Sequence, residues 1–252
     1  MRADDFPPQK SSGNELRVMV IGDSVVYGGV RIDQSEIGTE ILKRSLERQF
    51  RVPVVVANGS AKGWGPPDEL AYLKRFGTLD ADVVVLELSS HDYADTPSFS
   101  PIVGISPEYP DTKPRLAAAD LFETYLSRYL SLGHRDTALT NRTYTALDIA
   151  KCRDAERDIF RLARAHQAKV ALVQHLSLPE LTGVYQAGYS ANQQVAKEEN
   201  VPYVDDADEL RAELKSGHTP FYYGDPLHPN RLGQEVLAHA LQRAVNLALK
   251  SN

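Results

Sequence analysis

The chain is poor in cysteine: Cys152 stands alone among 252 residues, so no disulfide can form within it. Nor does that thiol read as a nucleophile. Ile149, Cys152, Ile159, Leu162 and His166 follow helical spacing along Ala146–Gln167, which makes Cys152 a buried packing position and His166 a packing or edge position. No apolar run is long enough to cross a bilayer, which argues against direct membrane insertion. Cations are also scarce. Lys and Arg number 28 against 34 acidic residues, a formal net charge of -6, and a phosphate-binding surface wants the opposite sign. Nucleic acid is therefore not expected as the main partner, and a neutral or cationic substrate is easier to accommodate.

Residues 1–14 are polar, with paired prolines and a Ser-Ser-Gly, and lack the apolar core of a signal peptide. They are expected to be a flexible leader, with residues 15–252 forming a single domain that carries an insertion over 93–145. The compartment stays open for a soluble chain: an upstream signal or anchor in the natural gene would direct it to the periplasm or outside the cell, and without one it is cytoplasmic. Asn141-Arg142-Thr143 fits a glycosylation acceptor only on a eukaryotic secretory route.

Hydrophobic residues at 42% suffice for one sizeable core. Short Val-rich runs bounded by turns predict strands at Leu16–Ile21, Val52–Ala57, Asp82–Leu88, Lys169–Gln174 and Val201–Val204. Between them, helical spacing predicts Ile37–Arg48, Pro67–Phe76, Leu116–Leu132, Ala146–Gln167, Tyr185–Glu199 and Arg231–Leu249. Strands of this kind, separated by helices, are those of a parallel sheet covered on both faces. The expected fold is α/β, a three-layer α/β/α sandwich with a mostly parallel five-stranded sheet, and no internal repeat is evident.

Two short motifs near opposite ends of the chain carry chemistry. Ile21-Gly22-Asp23-Ser24 follows the first strand, where Gly22 allows a tight turn and Ser24 reaches the carboxyl edge at which open α/β sheets bind ligands. A serine hydroxyl needs a base to become a nucleophile, and His228 in Asp225-Pro226-Leu227-His228 is the candidate. Asp225 can accept a hydrogen bond from the other ring nitrogen and stabilise the imidazolium as it forms. Taken singly, each motif is more often a helix cap or a local turn. Their joint occurrence at the ends of α/β units favours catalysis.

These residues resemble the SGNH, or GDSL, hydrolase family, whose flavodoxin-like fold matches the layering above. Gly22-Asp23-Ser24 is similar to the first block of that family, and Asp225 to His228 to the fourth. Val54 to Gly65 is similar to the second, in which a strand ends in Asn58 and a later glycine donates to the oxyanion; register favours Gly63 over Gly59. In the third block the family carries Gly-x-Asn-Asp, whereas Ser89-Ser90-His91-Asp92 stands here. The resemblance implies that Ser24, Asp225 and His228 are catalytic, and that the oxyanion hole is built from Ser24, Gly63 and His91. An imidazole N–H can donate as the amide would, although His91 can alternatively tie its loop to a carboxylate.

Asp23, Trp64, Asp92, Tyr93 and His175 are candidate substrate contacts. Trp64 alternatively covers the core, and His175, at the end of the fourth strand, alternatively supports the site by hydrogen bonding. The insertion begins with Pro97, Pro101, Pro107, Pro110 and Pro114, and its Tyr93, Phe99 and Tyr109 either stack on substrate or anchor the insertion. His134, His218 and His239 lack convincing metal-ligand partners. A metal site from His91, Asp92, Asp225 and His228 needs more assumptions than the serine reading, so no metal and no cofactor is expected. The function implied is a serine esterase acting on small O-acyl esters of a small molecule or saccharide, O-acetyl foremost. The alternatives are a polysaccharide O-acetyltransferase using the same serine, and a carbohydrate-binding protein with a degenerate site.

Overall fold

The computed structural model describes residues 5–97 and 144–251, together with residues 103, 111, 112 and 116. Phe99, Tyr109, His134, Asn141-Arg142-Thr143 and all but the first residue of the helix expected at Leu116–Leu132 lie outside the described residues. Contacts divide the chain into one unit of Met1–Pro97 with Thr145–Asn252 and a second of Ser98–Tyr144.

The first unit is built on five strands: β1 Leu16–Gly22, β2 Val54–Ser60, β3 Val83–Ser89, β4 Lys169–His175 and β5 Tyr203–Asp205. All pairings are parallel and the order is β2-β1-β3-β4-β5, so β1 lies inside the sheet between β2 and β3. Strands β2 and β5 start two residues later than their sequence patterns suggest, each directly after a proline. Pro53 and Pro202 have no N–H for the ladder, although their carbonyls still accept from Leu16 and Leu172 at 2.9 and 2.8 Å.

Eight α-helices are present among the described residues. They are α1 Ser24–Tyr27, α2 Gly38–Phe50, α3 Pro66–Phe76, α4 Ala146–Ala165, α5 Leu178–Leu181, α6 Ala187–Glu198, α7 Ala207–Lys215 and α8 Arg231–Lys250. The two-residue period of a strand sends neighbours to opposite faces, and this sorts the core. Val18, Val20, Val83 and Val85 pack with Leu42 and Leu46 of α2 and Leu237, Leu241 and Val245 of α8. Met19, Ile21, Leu86 and Leu88 pack with Leu70 and Leu73 of α3, Ile159 and Phe160 of α4, and Val195 of α6. Three layers result, as the sequence predicts. A smaller cluster of Leu176, Leu181, Ala207, Leu210, Phe221 and Val236 underlies the segment that carries His228.

Part of the expected flexible leader is tied to this unit instead. Arg17 is fully buried, and its guanidinium donates to the carbonyls of Pro7, Pro8, Gln9 and Leu79 and to Glu15. An arginine cannot give up its proton, so it is held inside only because its donors find acceptors, and residues 7–9 supply three of them. Lys10 adds an ion pair to Asp82.

Candidate active site

Ser24 opens α1 at the carboxyl end of β1. Asp23 caps that helix, its Oδ1 accepting the N–H of Val25 at 2.7 Å. The glycine before it is required for space and not for a left-handed backbone. A Cβ on Gly22 would lie 2.8 Å from both Glu87 Oε2 and Val26 Cγ2.

His228 arrives from the other end of the chain on a short hairpin. Phe221 bridges to Pro229, and the Tyr222 N–H donates to the His228 carbonyl at 3.2 Å. Asn230 caps α8 and at the same time donates to the carbonyls of Thr219 and Phe221. Gly233 lets the hairpin lie against the helix, because a Cβ there would sit 2.2 Å from the Pro220 carbonyl oxygen. Gln234, buried in α8, donates to the Val25 carbonyl at 2.9 Å and accepts the Gly38 N–H at 2.7 Å. It therefore fixes the helix behind His228 to the turn that holds Ser24. Sequence reasoning missed Gln234; a polar residue on the apolar stripe of α8 was the available signal.

The two motifs meet. Ser24 Oγ lies 2.9 Å from His228 Nε2, and His228 Nδ1 lies 2.8 Å from Asp225 Oδ2. Asp225 Oδ1 accepts the backbone N–H groups of Leu227 and His228, each at 3.0 Å. Partial burial pushes the Asp225 carboxyl upward, but the N–H groups of His228 and Leu227, together with the His228 ring, outweigh it and hold the group below the usual carboxylate range. An ionised carboxylate, an imidazole and a hydroxyl in this order can pass a proton from serine to histidine. The side chains of His228 and Asp225 are 39% and 33% exposed, so the line opens to solvent.

The third block places His91 beside this line. Its Nε2 lies 3.2 Å from Asp92 Oδ1 and 3.8 Å from Asp23 Oδ2, while Asp23 Oδ2 lies 3.5 Å from Ser24 Oγ. Asp23, His91 and Asp92 each offer a ligand atom within 4.8 Å of the others, so these three could hold a cation. Asn58 is buried within β2, two residues before its end, where it donates to the Val26 carbonyl and Thr39 Oγ1 and accepts from Ser60. Among the described residues, the backbone N–H groups of Ser24 and Gly63 are given to no acceptor. Gly63 is exposed with φ +75°, a conformation that favours glycine.

Several expected substrate contacts are placed otherwise. Asp92 is fully buried and caps its own turn by accepting the Ser89 N–H at 2.7 Å. Asp23 is almost fully buried in its cap. His175 is fully buried, with its ring nitrogens taken by Asp206 and the Leu227 carbonyl, so neither nitrogen is left open for a substrate. The Trp64 ring packs against Tyr72, with centroids 5.4 Å apart. Tyr93 is half-buried, and Gly188 of α6 approaches its turn so closely that a Cβ would sit 1.8 Å from the Ser90 carbonyl oxygen. Cys152 is buried, and burial first, then Glu156, drives its thiol far up, away from nucleophilic use. His218 and His239 are exposed and pair with Glu213 and Glu209.

Buried acids that the sequence gives no cue to pair lie close enough to Asp23 and Asp92 to interact with them. Glu69, Glu87 and Glu156 are fully buried, and their carboxyl oxygens have no hydrogen-bond partner among the described residues. Burial first, then the mutual repulsion of these acids with Asp23 and Asp92, keeps Glu69, Glu87 and Asp92 well above the carboxylate range. Burial raises Glu156 to about 8, with Arg153 and Arg157 offsetting only part of the effect. A cavity of about 890 Å³, bordered by Arg164, Lys169 and Ser251, lies at the amino end of β4, away from these groups.

A sequence profile of the GDSL-like lipase/acylhydrolase family matches residues 20–236. The chain belongs to this family. Its members are serine ester hydrolases, and the present chain is one of them. Among solved structures it is similar to an acetyl xylan esterase, AlAXEase, with 15% identity, TM-score 0.59, and 91% of this chain and 100% of that one covered. It is also similar to the lipase/acylhydrolase from Enterococcus faecalis, with 17% identity, TM-score 0.58 and coverage of 91% and 95%. A third is a mutant of Axe2, an acetyl-xylooligosaccharide esterase from Geobacillus Stearmophilus, with 16% identity, TM-score 0.58 and coverage of 94% and 96%. At these identities the likeness is one of fold. No curated protein matches the chain. Among the described residues, no helix of this GDSL-like hydrolase is long and apolar enough to cross a membrane.

Proposed function

We propose that this hydrolase cleaves small O-acyl esters, O-acetyl groups on carbohydrate foremost, through an acyl-serine intermediate. The observation that carries the reading is the continuous line from Ser24 Oγ through the His228 ring to Asp225, at 2.9 and 2.8 Å, drawn from segments 204 residues apart. In this reading His228 takes the Ser24 proton as the oxygen attacks the ester carbonyl. The tetrahedral intermediate collapses, His228 returns the proton to the departing alcohol, and the acyl group stays on Ser24. Water then gives a proton to His228 as it attacks, and collapse releases the carboxylic acid and restores Ser24.

The oxyanion is held by the N–H groups of Ser24 and Gly63, whose freedom from other acceptors supports that role. His91 supplies a third donor from the place that the family gives to asparagine. The exposure of the triad suits a large saccharide leaving group. Two of the neighbouring folds act on acetylated xylan or xylooligosaccharide, which supports the same class of substrate. No metal or organic cofactor takes part in these steps.

The test is labelling by a serine-reactive phosphonate, combined with release of acetate from acetylated xylan. Ser24→Ala should abolish both while leaving the circular dichroism spectrum unchanged. Labelling that persists in Ser24→Ala removes the proposal. Acetate that appears on an added polysaccharide, and not in solution, replaces hydrolysis with transfer.

A further inference from the structure

His175 lies outside the catalytic line, yet it is wired to it. Its Nδ1 is 2.5 Å from Asp206 Oδ2 and its Nε2 is 2.9 Å from the Leu227 carbonyl oxygen. A carbonyl and a carboxylate both accept, so satisfying the two contacts takes an N–H at each end of the ring. Asp206 uses its other oxygen to accept the Leu176 N–H at 3.1 Å, which fixes the carboxyl group against the ring. We propose that His175 is a buried imidazolium, paired with Asp206, that acts through the Leu227–His228 peptide to position Asp225 and His228.

The route is short. The amide whose carbonyl takes the His175 proton is the same amide whose N–H, on His228, donates to Asp225 Oδ1 at 3.0 Å. A hydrogen bond to one end of an amide polarises it and strengthens the donor at the other end. The preceding peptide repeats the arrangement: the Pro226 carbonyl accepts the Leu178 N–H at 2.8 Å, and the Leu227 N–H donates to the same Asp225 oxygen at 3.0 Å. Both donors that hold Asp225 are thus backed by the last residue of β4 and the segment that follows it.

The groups around the ring agree. Burial disfavours its charge, but Asp206 from the end of β5, the Leu227 carbonyl and Asp23 from the end of β1 together outweigh burial and raise the imidazole above its ordinary value. The Phe221 ring packs 6.1 Å away and keeps water from the pair.

The kinetic part of the test rests on the serine-esterase reading; the spectroscopic part does not. In the ¹H–¹⁵N spectrum of the histidine-labelled wild type, His175 should carry two N–H protons at neutral pH. A neutral tautomer there overturns the proposal, whether or not the protein turns over any ester. His175→Gln should lower kcat by about 10- to 100-fold, as expected when a supporting contact is lost and the base moves by up to an ångström, with KM little changed. It should also shift or broaden the His228 Nδ1 proton resonance. Placed on Asp225→Asn, the same replacement should lower kcat by less than about twofold, because both changes act through one carboxylate. Full multiplication of the two losses, or an unmoved His228 resonance in folded His175→Gln, rejects the role. If the glutamine variant fails to fold, the wild-type spectrum and Asp206→Asn, which should drive His175 to a single N–H proton, still decide it. A wild type with the doubly protonated ring but no phosphonate labelling rejects the esterase reading alone.

Discussion

Replacing Asp225 with asparagine separates charge from shape at the catalytic hairpin. The amide oxygen can keep accepting the Leu227 and His228 N–H groups now held at 3.0 Å each, so the loop should keep its form. The amide nitrogen then faces His228 Nδ1 across 2.8 Å and can only donate. The ring must answer with a lone pair at Nδ1, which moves its single proton to Nε2, 2.9 Å from Ser24 Oγ. An imidazole protonated there cannot accept the serine proton. The same change in serine proteases lowers kcat by about 10⁴, and about 5.5 kcal/mol of barrier is the corresponding amount. Hydrolysis of 4-nitrophenyl acetate at neutral pH measures the loss, and thermal melts measure the fold. With both backbone bonds kept, Tm should fall by no more than about 4 °C, equivalent to about 1 kcal/mol for a chain of this size. Activity above about a tenth of the wild type in Asp225→Asn would refute the tautomer argument.

The remaining expectations concern the oxyanion side and the buried acids. His91→Ala should lower kcat by about 100-fold with KM little changed, and His91→Asn should recover most of it; equal kinetics for His91→Ala and the wild type would remove His91 from the oxyanion hole. Chelation followed by dialysis should leave ester hydrolysis unchanged, whereas a loss that zinc or magnesium restores would make Asp23, His91 and Asp92 a working metal site. Glu156 titrates at about 8 in the fold against 4.5 in the reference state, so between those pH values the native protein keeps a proton that the unfolded chain has released. Its contribution is complete below 4.5 and declines as pH rises toward about 8, and Glu156→Gln should flatten the fall of Tm across that window. Parallel pH–Tm curves for the two proteins would show that Glu156 is not the group responsible.

Much of this architecture can be read from local chemistry. Apart from Arg17 and Glu87, the runs Leu16–Ile21 and Val83–Leu88 are apolar on both faces, and a sheet covered on both sides accommodates that pattern. The positions of Ser24 and His228 follow from turns at the ends of such units. Helix α7 is hard to see in the sequence, where Asp208, Glu209, Arg211 and Glu213 crowd it, yet Ala207, Leu210 and Leu214 keep helical spacing toward the core. The partners of His175 and Gln234 are a different matter. Asp206 lies 31 residues beyond His175, and Val25 lies 209 residues before Gln234, so no local window contains the interaction. The burial of Glu69 and Glu156 was equally out of reach, since both sit among charged helical neighbours and face inward only once α3 and α4 pack on the sheet.

The binding of residues 7–9 by Arg17 sets a practical limit on shortening the protein. Truncation just ahead of Leu16 would remove the Glu15 carboxylate and three carbonyl acceptors at a stroke and strand a permanent cation in the interior. Shortened versions made for crystallisation should therefore begin no later than Phe6, whose ring lies 5.5 Å from that guanidinium. Because Arg17 lies near the start of β1 and Ser24 just past its end, such trimming would strike expression yield and solubility first, and catalytic assays on whatever soluble material survived would miss the damage.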